Sequence, residues 1–249
     1  MLAKLADKSW SLAQKIGTYL PFTYWRMVWT SIDNQAQSIL DIGCADGDMM
    51  GFINNRRRFY TVGIDVYEPY LRKARKRNSH SENVLCDVRR LPFKERSFDT
   101  VLCLETLEHL DKKEEAMEAI KVLEEIARKQ VIISTPVGFT KQQAYSGNPS
   151  QEHYLSLTPP ELKRMGYKVK GIGISENWLT EKVRRALAKL ADKRMAKVGD
   201  KEEKAESTSY ALKFIDFLLR LPYYLIPGPF VYFLPRLGGH MICSKKIKA

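Results

Sequence analysis

The sequence predicts an α/β protein built on one open, mostly parallel sheet with helices on both faces. Three observations predict this class. Seven short apolar runs bounded by turn residues indicate strands, and helical patterns separate the early ones. With 249 residues, 44% of them hydrophobic, the chain is long enough and apolar enough for a sizeable core. We therefore expect a single domain over residues 1–249.

The predicted elements follow one another in a regular order. Strands are predicted at residues 38–43, 60–66, 83–88, 98–105, 130–136, 167–174 and 240–246. Amphipathic helices are predicted at residues 1–17, within an N-terminal helical segment of residues 1–32, and at 68–78 and 112–129. The last of these has an apolar stripe that should pack on the sheet: Ala116, Ile120, Leu123, Ile126 and Ala127.

Charge and cysteine content limit the function classes. The chain carries 41 Lys and Arg against 29 Asp and Glu, and this net charge of +12 favours an anionic partner such as nucleic acid, a nucleotide or a lipid headgroup. Residues 1–17 lack the continuous apolar core of a signal peptide. Four scattered cysteines without a CxxC pair predict free thiols in a reducing cytoplasm: Cys44, Cys86, Cys103 and Cys243.

A glycine-containing stretch, SILDIGCADGDM at residues 38–49, ends the first strand and enters a helix. Gly43 and Gly47 expose backbone N–H groups at the carboxyl end of the sheet, where a ligand can approach closely. Their GxxxG spacing differs from the GxGxxG of a dinucleotide-binding loop. Acids around the glycines favour a cationic or hydroxyl-rich ligand over a phosphate: Asp41, Asp46 and Asp48.

Two further carboxylates follow the next predicted strands. Asp65 ends the second strand about twenty residues after the glycine loop, where a carboxylate can accept hydrogen bonds from both hydroxyls of a ribose. Asp87 follows the third strand, in a position to accept a hydrogen bond from an adenine amino group. These strand ends predict a nucleoside site at one edge of the sheet.

Four motifs occur in order along this region. LDIGCADG, VGIDV, LCDVRRLPF and FDTVLCLETLEHL resemble the successive motifs of class I S-adenosylmethionine-dependent methyltransferases, in particular the type 11 and ubiquinone-precursor groups. The resemblance covers residues 38–174 as a cofactor-binding core, and implies a Rossmann-like seven-stranded sheet whose last strand, in residues 239–249, is antiparallel. It also implies S-adenosyl-L-methionine as the cofactor and a binding set: Asp41, Gly43, Cys44, Ala45, Gly47, Asp65, Val66, Asp87, Val88 and Leu104.

One position departs from the resembled pattern. Ala45 stands where many members of the family have a middle glycine. Its methyl group disfavours a positive φ and narrows the space for a ligand. We expect cofactor binding to be retained. A non-enzymatic scaffold with an impaired loop stays open as an alternative.

The segment LETLEHL after the fourth strand supplies the candidates for catalysis. Glu105, Glu108 and His109 stand at i, i+3 and i+4, which would place them on one helix face. Together with His153 downstream, they resemble a divalent-metal pattern of ubiquinone-precursor and small-RNA methyltransferases. In the alternative, Glu105, His109 and His153 act without metal, with a histidine as the base for a hydroxyl acceptor. We favour the metal-free alternative because LEHL also occurs in relatives that use no metal.

Residues 175–238 are the least family-like part and predict a helical and hydrophobic insertion. Residues 181–197 predict a basic amphipathic helix. Charges and prolines interrupt the segment that follows, so it does not predict a membrane-spanning helix. Its aromatic residues are Phe214, Phe217, Tyr223, Tyr224, Phe230, Tyr232 and Phe233. Four uses stay open: an insertion packed on the sheet, a lid over an apolar pocket, a dimer contact or a membrane-interface segment.

These patterns predict a cytoplasmic methyltransferase that is peripheral to a membrane if the insertion faces one. An apolar insertion beside a basic helix favours a small-molecule or amphipathic, lipid-linked acceptor. An RNA methyltransferase is the alternative, since surplus positive charge suits a phosphate backbone, but no appended RNA-binding module is visible. The sequence leaves open the acceptor atom, the need for a metal and the oligomeric state.

Overall fold

The computed structural model describes residues 20, 22–56, 58–144, 148–173 and 228–248. Its seven strands are β1 (Ser38–Ile42), β2 (Tyr60–Asp65), β3 (Glu82–Leu85), β4 (Phe98–Leu104), β5 (Ala127–Pro136), β6 (Lys168–Ile172) and β7 (His240–Lys246). The α-helices of this part of the chain are α1 (Tyr24–Ser31), α2 (Asp48–Ile53), α3 (Glu68–Arg77), α4 (Lys113–Ile126), α5 (Pro159–Arg164) and α6 (Gly228–Phe233). Predictions that lie outside the described residues are the helices at 1–17 and 181–197 and the aromatic residues Phe214, Phe217, Tyr223 and Tyr224.

The strands form one sheet in the order β3-β2-β1-β4-β5-β7-β6. β1 to β5 pair in parallel, whereas β7 runs antiparallel to both of its neighbours, β5 and β6. The predicted seven-stranded, mostly parallel sheet with an antiparallel last strand is confirmed. Because the strand order reverses between β1 and β4, the carboxyl ends of these two strands open a crevice in which a ligand can bind.

Both faces of the sheet are buried, which explains the apolar runs of the sequence. In β1, Leu40 and Ile42 face the core that contains α4, whereas Ile39 faces the core that contains α1 and α2. Successive side chains of a strand point to opposite faces, so each strand contributes to both cores. Ile39 is fully buried, and burial of such a side chain contributes about 1.5 to 3 kcal/mol. Packing on both sides fixes the loop that follows β1.

The boundary between α4 and β5 differs from the prediction. The apolar stripe predicts a helix over residues 112–129, but α4 ends at Ile126 and β5 begins at Ala127. Ala127 is buried and pairs with Phe98 of β4. A buried alanine fits a helix and a strand equally well, so strand pairing, rather than local pattern, decided this boundary.

Cysteines and helix lengths add two findings. The four cysteines are free: Cys44, Cys103 and Cys243 are buried, and Cys86 is half-buried. In the ranges that the structure describes, every helix is too short or too polar to cross a bilayer.

Candidate functional site

A cavity of about 390 Å³ opens at the carboxyl ends of the parallel strands, a size typical of small-molecule and cofactor sites. It brings together these members of the predicted cofactor set: Gly43, Ala45, Asp65, Val66, Asp87, Val88 and Leu104. Other lining residues follow β4 or come from the segment before α5: Glu105, Thr106, His109, Leu110, Asp111, Asn148, Pro149, Ser150, Gln151 and Tyr154. Ile42, Ile64, Cys86 and Arg89 complete the lining.

The loop between β1 and α2 forms one wall of the cavity. Gly43, Ala45 and Gly47 all have left-handed backbone, with φ values of +67°, +48° and +77°. A Cβ atom on Gly43 would lie 2.2 Å from Oγ1 of Thr106, so this position requires glycine. Ala45 adopts the left-handed conformation in spite of its methyl group, and its N–H donates a hydrogen bond to Oδ2 of Asp65 over 2.9 Å. That hydrogen bond opposes the conformational cost at Ala45.

Asp65 is held in a fixed orientation at the end of β2. Its Oδ1 accepts a hydrogen bond from the N–H of Tyr67 over 2.8 Å, while Oδ2 accepts from Ala45. Burial raises the pKa of Asp65, and these backbone hydrogen bonds oppose the rise. Each carboxylate oxygen retains a lone pair that a hydroxyl group of a ligand can use.

Asp87 lines the cavity after β3, but its carboxylate already has a partner. Arg89 donates from Nε to Oδ1 over 3.0 Å and from Nη2 to Oδ2 over 2.6 Å. These hydrogen bonds lower the pKa of Asp87. Arg89 lines the cavity as well. Sequence analysis did not predict Arg89 as a site residue. The sequence feature that could have indicated it is its position two residues after Asp87.

Some of the predicted ligand-binding residues do not line the cavity. Asp41 is buried, and its Oδ2 lies 3.0 Å from Nε2 of His80. Asp46 and Asp48 pair with Arg77 at 3.0 and 2.9 Å. The carboxylates of these three acids engage partners within the protein and lie outside the lining, so they give no support to the expected preference for a cationic or hydroxyl-rich ligand. Two other members of the predicted cofactor set are buried outside the lining: Cys44 and Gly47.

Glu105 stands after β4, with left-handed backbone at φ +48°. Ser134 Oγ donates a hydrogen bond to its Oε1 over 2.8 Å, and Nδ1 of His240 lies 3.0 Å from its Oε2. The hydroxyl group of Tyr24 lies 2.7 Å from Ser134 Oγ. Sequence analysis missed Tyr24, Ser134 and His240, because they belong to α1, β5 and β7 and only the folded sheet brings them together.

Glu105, Glu108 and His109 do not share a helix face, contrary to expectation. Leu107–His109 form a single 3-10 turn, and Glu105 precedes it in non-helical backbone. Glu108 is 1% exposed, and among the described residues its carboxylate oxygens have no hydrogen-bond partner. Burial, and then the charge of Glu105, raise the pKa of Glu108. Burial also acts to raise the pKa of Glu105, but the charge and hydrogen bonds of its neighbours lower it overall.

His109 and His153 lie beside each other, with ring centroids 4.9 Å apart. Their Nδ1 atoms each lie 2.8 Å from a backbone carbonyl oxygen. Burial lowers the pKa of His109. Glu108, His109 and His153 offer metal-ligand atoms within 4.8 Å of one another. The raised pKa of Glu108 opposes the ionised form that a metal ion would bind. The metal pattern and the metal-free alternative both stay predictions, and we favour the metal-free one.

Comparison with known proteins identifies similar chains. Residues 40–128 match the family model described as a methyltransferase domain. Probable tRNA methyltransferase 9B of Homo sapiens is 32% identical over 83 residues, which are 33% of this chain and 17% of that protein. A SAM dependent methyltransferase from Archaeoglobus fulgidus has a TM-score of 0.52 at 14% identity, covering 89% of this chain and 90% of its own. The cyclase SpnF has a TM-score of 0.54 at 13% identity, covering 89% and 78%.

The two solved structures share the fold of this chain, and identities this low carry nothing beyond the fold. The chain spans less than a fifth of the length of the human relative. The cavity itself fits S-adenosyl-L-methionine in its charge and its donor set. Asp65 is oriented to accept hydrogen bonds from hydroxyl groups. The lining has more carboxylates than guanidinium groups, and this excess of negative charge suits a sulfonium cation. The carboxylates are those of Asp65, Asp87, Glu105 and Asp111, and the guanidinium group is that of Arg89.

Proposed function

Because residues 40–128 match the family model of a methyltransferase domain and the strands form the mostly parallel seven-stranded sheet described above, we propose that this chain is a class I S-adenosylmethionine-dependent methyltransferase that transfers a methyl group to an amphipathic small molecule or lipid-linked acceptor. The match to a methyltransferase domain over residues 40–128 supports the predicted family and the predicted cofactor. The observation that carries the proposal is one cavity with oriented carboxylates, Asp65 and Glu105, on different strands. When bound, S-adenosyl-L-methionine supplies a methyl group that its sulfonium already activates.

The residues of this chain have mainly to bind and align the reactants. Asp65 would accept hydrogen bonds from ribose hydroxyls, and the Asp87–Arg89 pair would border the adenine. Gly43 and Ala45 would present backbone next to the cofactor. Because the methyl group is activated before the reaction, alignment of the acceptor accounts for most of the acceleration.

Support for an amphipathic acceptor comes from the segment before β7. Three apolar side chains of this segment are strongly exposed: Phe230 (68%), Phe233 (76%) and Leu234 (54%). Neighbouring exposed aromatic side chains are typical of a surface that meets a lipid or an apolar ligand. Tyr232 of α6 packs against Phe22, and two residues later Tyr24 enters the hydrogen-bonded group around Glu105. Contacts through Phe22 and α1 therefore link this apolar segment to the group around Glu105.

An RNA acceptor is the second candidate function. It is favoured by the net charge of +12, because positive surface attracts a phosphate backbone. The human relative named as a probable tRNA methyltransferase adds support over 83 residues. The exposed aromatic residues of α6 favour the amphipathic acceptor over RNA.

Transfer of a radiolabelled methyl group into separated lipid, RNA, protein and small-molecule fractions of a cell extract tests the proposal. We expect label in the lipid or amphipathic small-molecule fraction, and little label with Asp65→Ala. Glu118→Ala, an exposed change on α4, is the matched control. Label in RNA would make the second candidate the function. Cofactor binding without transfer to any fraction would favour the scaffold, and absence of cofactor binding would overturn both enzyme proposals.

A further inference from the structure

Four elements that are distant in sequence meet around the carboxylate of Glu105. β4 places Glu105 at the cavity, where its side chain is 30% exposed. Ser134 on β5 holds Oε1, His240 on β7 contacts Oε2, and Tyr24 on α1 contacts the Ser134 hydroxyl. One hydrogen bond to each oxygen fixes the plane of the carboxylate and leaves a lone pair on each oxygen for another partner. These contacts fix the orientation of the carboxylate before a ligand binds.

The groups around Glu105 lower the pKa of its carboxyl group. The titratable groups near it are Tyr24 from α1, Cys103 from β4, Glu108 and His109 from the 3-10 turn, and His240 and Cys243 from β7. Burial raises the pKa of Tyr24 and Glu108 and lowers the pKa of His109. Burial also acts to raise the pKa of Glu105, but the charge and hydrogen bonds of its neighbours lower it overall. A carboxylate with a lowered pKa at the wall of the cavity can accept a proton from a ligand.

The sheet order places Glu105 away from Asp65. We call the part of the cavity at Asp65 the nucleoside end, because the proposed function puts the ribose there. β2, which carries Asp65, and β4, which precedes Glu105, lie on opposite sides of β1. Neighbouring strands are about 4.8 Å apart, so the ends of β2 and β4 are separated by roughly 10 Å. With the ribose at Asp65, Glu105 lies on the side of the cavity where an acceptor can enter, and we call this side the acceptor end.

We propose that Glu105 is the proton acceptor of the methyl transfer, that His240 is its positioning residue, and that the acceptor group is therefore a hydroxyl. This inference rests on the methyltransferase function proposed above. The acceptor O–H bond breaks and its proton passes to the Glu105 carboxylate. The acceptor oxygen uses the electron pair left behind to bond the methyl carbon, and the electron pair of the former carbon–sulfur bond stays on the cofactor's sulfur.

The chemistry of a hydroxyl explains why an ionised carboxylate suffices. As an oxygen gains the methyl group it gains positive charge, and its proton becomes far more acidic than a carboxylic acid. A base of modest strength that is ionised at neutral pH can therefore accept this proton. An uncharged amine needs no such base to attack. A carboxylate beside the acceptor therefore supports an oxygen acceptor, and the product analysis below separates it from a carbon acceptor or an ammonium group, which also gives up a proton.

The first test measures transfer with the labelled fraction identified above and three variants of the full chain. We expect Glu105→Gln to lower the rate by about 10² to 10⁴-fold, the usual contribution of a positioned base, while the Kd of the cofactor stays within about threefold. Glu118→Gln should behave as the wild type. The labelled product should release volatile methyl iodide with hydriodic acid, as an O-methyl group does. Near-normal transfer by Glu105→Gln, or an N-methyl or C-methyl product, would overturn the proposal.

The pH profile separates a positioning role of His240 from a structural one. Because Glu105 must be ionised, the rate falls as pH falls through its pKa, which lies below the ordinary value of 4.5. His240→Gln removes the neighbour that lowers the pKa of Glu105, so we expect the acid limb of the profile to move up by about one pH unit, with about a tenfold lower rate. A rate that rises with pH through a histidine-like midpoint in both the wild type and Glu105→Gln would make His109 or His153 the base and overturn the proposal.

A second measurement needs no acceptor. In protein labelled with ¹³C at the glutamate carboxyl groups, the Glu105 signal is the one that Glu105→Gln removes. It should titrate below the ordinary value of 4.5 and move up by about one pH unit in His240→Gln. A Glu105 signal that titrates above the ordinary value of 4.5, or that does not move in His240→Gln, overturns the proposal. A wild type that fails to bind S-adenosyl-L-methionine overturns the proposed function instead, so the two failures are distinguishable.

Discussion

The two ends of the cavity are built in different ways. At the nucleoside end, contacts join residues close in sequence: Ala45 to Asp65 across 20 positions, and Asp65 to Tyr67 across two. At the acceptor end, Tyr24 meets Ser134 across 110 positions and Glu105 meets His240 across 135. Backbone N–H groups orient the first carboxylate, whereas side chains orient the second. A motif can therefore identify the nucleoside end, but only the assembled sheet creates the acceptor end.

The largest effect should come from the nucleoside end. Asp65→Ala removes charge-assisted hydrogen bonds to the ribose and should cost about 2 to 4 kcal/mol of cofactor affinity, more than tenfold in Kd. Calorimetry with S-adenosyl-L-methionine measures the change, and Glu114→Ala on the exposed face of α4 is the control. Equal binding by the wild type and Asp65→Ala would remove Asp65 from the site.

The next effect tests the exposed apolar surface formed by Phe230, Phe233 and Leu234. Phe230→Ser with Phe233→Ser should lower sedimentation with phosphatidylglycerol and phosphatidylcholine vesicles about tenfold, because two exposed aromatic side chains lose their apolar contacts. Trp29→Ser, at an exposed aromatic residue on α1, is the matched control. Cofactor affinity should not change. If the parent never binds vesicles, or the double variant binds them equally, the membrane-facing proposal fails and the segment is a pocket lid or a dimer contact.

A smaller effect concerns the strained position of the glycine loop. Ala45 has a φ of +48°, a conformation that costs an L-residue about 1 kcal/mol or more and costs glycine nothing. Ala45→Gly should therefore leave the free energy of unfolding equal or up to about 1 kcal/mol higher, with cofactor affinity held or improved. Ala119→Gly in α4 should lose about 1 kcal/mol or more, as glycine does inside a helix. A large loss of affinity in Ala45→Gly would contradict our interpretation of the loop.

The last prediction is that removal of metal ions does not change the rate of methyl transfer. Because burial and the charge of Glu105 raise the pKa of Glu108, which disfavours metal binding, we expect methyl transfer to be unchanged after treatment with EDTA or 1,10-phenanthroline. The transfer assay measures the rate before and after chelation. If chelation abolishes transfer without affecting cofactor binding, and Mg²⁺ or Zn²⁺ restores it, Glu108, His109 and His153 hold an ion after all.

Much of the nucleoside end was predictable because its signals are local. A strand that ends in Gly43, a carboxylate at Asp65 about twenty residues later and another at Asp87 follow from chain order in a parallel sheet. The same local pattern was misleading for Asp41. Its strand position is right, but its carboxylate pairs with His80 and does not line the cavity, and no spacing rule identifies that partner.

By itself, the sequence determined the seven strands, the parallel sheet and the cofactor motif, because apolar periodicity encodes which face of an element is buried. The tertiary structure alone decided the acceptor end. Strand register sets Leu104 opposite Ser134 and Pro136 opposite His240, which brings His240 to Glu105. A single 3-10 turn at Leu107–His109 separates Glu105 from Glu108. Such partners depend on strand order and register across the whole chain, and these are set when the sheet assembles.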